Sequence, residues 1–203
     1  MNRSIIVDLF VEDRAHEEFL KPLITRVASE ENIEVTIRVR SARGGHGKAI
    51  SEYKLYQDML EEGLLGEIHP DLMIVAIDGN CTPWAKKRDE IKKETKELFS
   101  NRLVSACPNP HIEHWYLADP DSFFQVVGYR PVVGKRKCIR DYYKNAMVKA
   151  IRAAGHPITL GGIEFASEIV MVMDFYRAGK NDNSLGALLE ELRGKLRQQC
   201  EKG

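Results

Sequence analysis

"IIVDLFVEDRAHEEFL" (residues 5–20) decides how this chain folds. Ile5 to Val11 is an apolar run broken only by Asp8, as in a strand buried on both faces. It ends abruptly in Glu12 and Asp13, and a helical pattern starts at once. Phe19, Leu20, Leu23, Ile24, Val27 and Ala28 recur at helical spacing, so residues 14–31 read as one amphipathic helix. Acids at such a junction have two readings. Asp13 suits a helix N-cap and both acids suit the positive end of the helix dipole. Alternatively, Glu12 is a metal ligand held at the carboxyl end of a central strand.

The rest of the chain extends the strand–helix alternation. Ile33, Val35, Ile37 and Val39 alternate with polar residues, which gives a second strand with one polar face. "SARGGHGK" (41–48) is a glycine-rich loop, and a helix follows over 49–62. Leu72 to Ile77 is a continuous apolar run ending in Asp78-Gly79-Asn80. A highly charged helix covers 84–100 and a fourth strand covers 103–106. Such alternation predicts an α/β fold, a mainly parallel sheet flanked by helices, with function gathered at the carboxyl ends of the strands. Beyond Pro110 the strand signals stop. Helical patterns over 111–127, 137–154, 163–177 and 185–199 predict a helical C-terminal half. The expected division is an α/β core over 1–118 and a helical extension over 119–203, packed as one unit.

Composition narrows the class. The 203 residues contain 30 basic and 30 acidic side chains, with 43% hydrophobic and 30% charged residues, which is ordinary for a soluble globular protein. Global charge therefore points to no nucleic-acid partner, and only local charge can. The four cysteines (Cys81, Cys107, Cys138, Cys200) show no CxxC spacing. They read as reduced thiols of a cytoplasmic protein and point away from zinc. The N-terminal stretch lacks the shape of a signal peptide, and no apolar run approaches membrane-spanning length.

Three acids stand at comparable places. Glu12 ends the first strand, Asp78 ends the third, and Glu113 lies in "CPNPHIEHWYLADPD", just after the fourth. On one lip of a sheet they would repel one another unless a cation joined them. Oxygen donors favour Mg²⁺ or Mn²⁺ over zinc. Such an ion could polarise a phosphodiester and activate water.

These motifs carry a resemblance. "VEDRAHEEFL" resembles the first motif of TOPRIM nucleases, "IVAIDGN" their DxD motif, and "HIEHWYLAD" the later glutamate-x-tryptophan motif of bacterial TOPRIM-like families related to the RloB-like and OLD-type proteins. The tail "MDFYRAGKNDNSL" is similar to the end of that group. The resemblance implies a TOPRIM-like fold and a Mg²⁺-dependent nuclease. It also implies partnership with an ABC- or AAA-type ATPase in antiphage defence. Glu12, Asp78 and Glu113 carry over as metal ligands. The family's glycine after the first glutamate is Asp13 here, its Thr-Glu is Ala15-His16, and its second DxD aspartate is Asn80. Asn80 is thus a neutral ligand and His16 an assisting candidate; separately, His46 of the glycine-rich loop is a candidate general base on the strength of histidine's reference pKa. The same departures motivate the alternative of a catalytically silent module that binds an ATPase or nucleic acid.

Two further stretches are open between structure and function. "RGGHGK" is either a plain turn or a loop whose Arg43, His46 and Lys48 meet phosphate; it lacks P-loop spacing. From Arg130 to Arg152 eight basic residues face only Asp141, with Tyr142 and Tyr143 interleaved. That run is either a solvated face or a DNA- or RNA-binding face on which Lys135 or Lys137 touches phosphate. Trp115 and Tyr116 read as core or interface, and "WAKKRDEIKKETKELF" as a surface helix laced by i,i+4 ion pairs. A homo-oligomer is open.

Overall fold

The computed structural model describes residues 3–40, 44–66, 69–134 and 138–201. Four strands, β1 (Arg3–Val11), β2 (Ile33–Val39), β3 (Leu72–Ala76) and β4 (Leu103–Ala106), form one sheet in the order β2-β1-β3-β4. Every pairing is parallel, so all four strands end on one lip. The α/β class and the mainly parallel sheet expected from the alternation are what the chain forms. Connections run through α1 (Arg14–Glu30), α2 (His46–Glu61) and α3 (Trp84–Lys93), the last followed by a 3-10 turn over Glu97–Arg102.

Period-2 geometry explains how the apolar runs serve both faces. Val7, Leu9 and Val11 of β1, with Leu72, Ile74 and Ala76 of β3, pack against α1 and the helical half. Phe10, Met73, Val75 and Ile77 face the other way, onto Tyr53 and Tyr56 of α2 and Ile91 of α3. The helical half consists of α4 (Ile112–Tyr116), α5 (Pro120–Val127), α6 (Tyr142–Ala153), α7 (Ala166–Val172), α8 (Phe175–Asn181) and α9 (Asn183–Glu201). Residues from these helices share the core cluster of β1 and α1. Trp115 and Tyr116 are fully buried in it, with Trp115 Nε1 donating to Ser184 Oγ and Tyr116 Oη to the carbonyl of Ala15. Among the described residues, no helix is long and apolar enough to cross a membrane.

Three expected helices are broken, each for a local reason. The 84–100 run stops at Lys93 because the Lys96 N–H is taken by Gln57 Oε1 rather than by a helical carbonyl. The 111–127 run restarts at Asp119-Pro120, where proline occupies the first helical turn. The 163–177 run restarts at Asp174, whose carboxylate accepts the Arg177 N–H. Within α3 the charges pair at i,i+3, Lys87 with Glu90 at 2.7 Å, and just beyond it Glu94 and Lys96 reach to Lys54 and Asp58 of α2.

One buried charge lies within the sheet. Asp8 is fully buried on β1, with Arg38 of β2 donating to both its oxygens at 2.5 and 2.8 Å and Tyr56 Oη donating as well. Burial pushes the Tyr56 hydroxyl up to about 12, as do its hydrogen bond to Asp8 and that residue's charge. Removing one partner of such a cluster leaves the other uncompensated. Asp8→Ala is therefore expected to lower stability by roughly 3 kcal/mol, read by urea unfolding. A loss within ordinary surface-mutation noise would show that the cluster contributes little.

Candidate functional site

The parallel register brings the site together. Val11 pairs with Ala76 at the ends of β1 and β3, so the next residues of each strand emerge side by side. The Glu12 N–H continues the ladder to the Ala76 carbonyl at 3.0 Å, and Glu12 Oε2 accepts the Asp78 N–H at 2.9 Å. Asp13 is the N-cap of α1: its Oδ1 accepts the backbone N–H of His16 at 3.1 Å and lies 2.8 Å from His16 Nδ1. The cap reading of the opening acids thus holds for Asp13. Asp13 caps and orients, while Glu12 faces Asp78.

His16 is buried one turn into α1, and its Nε2 lies 3.2 Å from Asp78 Oδ1 without hydrogen-bond geometry. One donor atom from each of Glu12, His16 and Asp78 falls within a mutual 4.8 Å. Asp78 is held from its other side, accepting the Ile112 N–H at 2.9 Å and sitting 3.2 Å from His111 Nδ1. His111 immediately precedes α4, so the turn that starts this helix also braces Asp78.

A cavity of about 510 Å³ opens over these groups, lined by Glu12, Asp78, Asn80, Glu113, Arg140 and Lys144 among others. Glu113 therefore shares the cavity without entering the close trio. Asn80 is exposed, in a left-handed turn (φ 45°), with its N–H donated to the Pro110 carbonyl. Arg140 and Lys144 belong to the basic run from 130 to 152, and among the described residues they are its members that reach the cavity wall. Elsewhere in that run Arg130 is paired with Asp121.

The remaining candidates lie apart. His46 opens α2. Lys48 pairs with Glu52 along the same helix at 3.4 Å. Arg43, Lys135 and Lys137 lie outside the described residues. Sequence reasoning passed over His111, although it stood two residues before Glu113. It also missed the cysteine chemistry. Cys81 and Cys138 are bonded to each other, with Cα atoms 5.6 Å apart and a sequence separation of 57, which corrects the expectation of reduced thiols at these two positions. The bond ties the loop after β3 to the segment that carries Arg140 and Asp141. Cys107 is free and buried.

Electrostatics bind His16 and its two acids into one charge cluster. Burial disfavours an imidazolium at His16, but its hydrogen bond to Asp13 and the nearby charges of Asp78 and Asp13 outweigh it and push His16 up to about 10. Burial also opposes ionisation of Asp78, yet His111 and His16 hold it down to about 2. Burial raises Glu113, helped by the charges of Asp78 and Asp13. The trio offers two carboxylates and an imidazole whose Nε2 has no hydrogen-bond partner, a mixed donor set that suits Mn²⁺ better than Mg²⁺. No family model, curated protein or solved structure matches the chain.

These shifts fix a pH signature without metal. His16 is raised from 6.5 to about 10, so its stabilisation is complete below 6.5 and is lost as pH rises through 10. Asp78 is lowered from 3.8 to about 2, so its stabilisation is present above 3.8 and is lost as pH falls through 2. Thermal stability of the metal-free protein is expected to be highest between those limits. The alkaline decline should shrink in His16→Gln; an unchanged decline would show that His16 is not its source.

Proposed function

We propose that this chain is a divalent-metal-dependent phosphodiesterase acting on nucleic acid. The observation that carries this reading is the convergence of Glu12, His16 and Asp78 from α1 and the ends of β1 and β3, beneath a cavity that Glu113, Arg140 and Lys144 also line. Glu12, His16 and Asp78 would hold Mn²⁺ or Mg²⁺, with Asn80 and Glu113 as neighbours on the cavity wall. Such an ion supplies Lewis-acid polarisation of the phosphate and acidifies water. Arg140 and Lys144 contribute positive charge for phosphate oxygens, which orient the strand without reading its sequence. Glu113, raised by burial, is suited to hold a proton for the departing oxygen. Asp13 and His111 position His16 and Asp78 and touch no substrate in this scheme.

The TOPRIM-like resemblance supports the same reading. From it come an ABC- or AAA-type ATPase partner and a defence role. A second reading, a silent module that binds an ATPase or nucleic acid, is favoured by two observations. A protonated His16 neutralises Asp78 without any metal, and Asn80 stands where the resembling families carry an acid.

Activity separates the readings. The purified chain is expected to cleave single-stranded DNA or RNA only with Mn²⁺ or Mg²⁺. Asp78→Asn and Glu12→Gln should each lower the rate by roughly a hundredfold or more, since each removes charge from the ion site. Metal-dependent cleavage that survives both substitutions would refute the assignment, and no cleavage of either polymer by the unaltered chain would favour the module.

A further inference from the structure

A second cavity of about 510 Å³ lies on the other side of α4, lined by Trp84, Asn109, His114, Asp182, Asn183 and Ser184 among others. We propose that it is a nucleobase subsite, which takes an unstacked base of the strand whose phosphate lies at the carboxylate cluster. The placement in that strand rests on the phosphodiesterase reading above; the base-binding chemistry does not.

The two cavities share one wall. Glu113 lines the first and His114, the next residue, lines the second. The His114 ring packs on Tyr143, a lining residue of the carboxylate cavity, with centroids 4.4 Å apart. The loop before α4 serves both sites. The carbonyls of Pro108 and Pro110 accept the N–H groups of Gly79 and Asn80, just after Asp78, while the Asn109 carbonyl lies 3.1 Å from His114 Nδ1.

Within the second cavity the polar groups divide into spent and unspent. Asp182 is fully engaged. It meets His114 Nδ1 at 2.5 Å, the Ser184 hydroxyl, and the N–H groups of Ser184 and Leu185 at 2.8 and 2.9 Å. Ser184 in turn accepts from Trp115 Nε1, so this side of the cavity is fixed in advance. Asn109 is different. It is 2% exposed, and its Oδ1 is buried with no hydrogen-bond partner. Buried amide acceptors are ordinarily satisfied, and this one asks for an N–H from outside the chain. An amide and an aromatic ring on one cavity wall are the equipment that takes a base: the amide pairs with donors and acceptors on the base edge, and Trp84, whose ring carries Arg88 over one face, has the other face for stacking. The cavity size lies within the range of small-molecule sites. A phosphate alone has neither a flat face for the ring nor an N–H for the amide acceptor, and ribose 5-phosphate is the control for the sugar.

The test needs no cleavage. The chain has two tryptophans, of which Trp115 is fully buried and Trp84 lines the cavity, so fluorescence quenching reports on the proposed subsite. The metal-free chain is titrated with the four ribonucleoside monophosphates and with ribose 5-phosphate. Saturable quenching by at least one nucleotide, and none by the sugar phosphate, is expected. By calorimetry, Asn109→Ala and Trp84→Leu should each weaken that nucleotide by roughly fivefold or more, with circular dichroism confirming the fold; Trp84→Leu keeps the test valid if the buried Asn109 substitution unfolds the chain. Equal binding of ribose 5-phosphate, no saturable quenching, or unchanged affinity in a folded variant would each overturn the subsite. Metal-dependent hydrolysis of bis(4-nitrophenyl) phosphate is measured alongside. Its loss with base binding intact refutes the phosphodiesterase reading alone, and base binding lost with hydrolysis intact refutes the subsite alone.

Discussion

The hydrogen bond from the Asp78 N–H to Glu12 Oε2 is the constraint on which the rest of the site depends. It exists because β1 and β3 are parallel neighbours in a register that sets Val11 against Ala76. In that register both strands deliver a carboxylate to one lip of the sheet. A shift of one residue would turn one of the two acids to the opposite face. The apolar residues that fix the register lie on both faces of these strands, so the two cores of the protein hold the chemistry in place.

Acids gathered at a lip raise an electrostatic problem that the chain answers locally. Asp13 and His111 supply the two ends of the answer, one by capping α1 and orienting His16, the other by bracing Asp78 from the start of α4. His16 sits between Asp13 and Asp78, and in its protonated form it provides the positive charge the carboxylates need. A metal ion would have to displace that proton, so proton and cation compete for the same place. This competition is why the enzyme and the silent module share one geometry and differ only in which positive charge occupies it.

Much of the fold was legible because apolar runs and helical periodicity report burial directly. The strands at 5–11, 33–39, 72–77 and 103–106 and the helices α1, α2 and α9 follow the sequence pattern closely. What escaped was set by contacts across the chain. Gln57 ends a helix 39 residues away by taking the Lys96 N–H, and no local signal announces that. Asp119-Pro120, by contrast, was a readable start signal within a stretch treated as continuous. At the site, Glu12 and Asp78 were legible as acids ending strands. The role of His111 was not, because it depends on how residues 107–111 return beneath Asp78. The Cys81–Cys138 pair escaped for the same reason, since its partners meet only once the loop after β3 and the segment before α6 are both folded.

Electron paramagnetic resonance of Mn²⁺ titrated into the purified chain measures the central claim most directly, because free Mn²⁺ is counted whether or not the protein is an active enzyme. The account predicts saturable binding at a site that Asp78→Asn and Glu12→Gln each weaken severely, while Arg197→Ala, on α9 and paired with Glu31 past the far end of α1, leaves it unchanged. Binding that is absent in the unaltered chain, or that persists undiminished in both carboxylate variants, would contradict it.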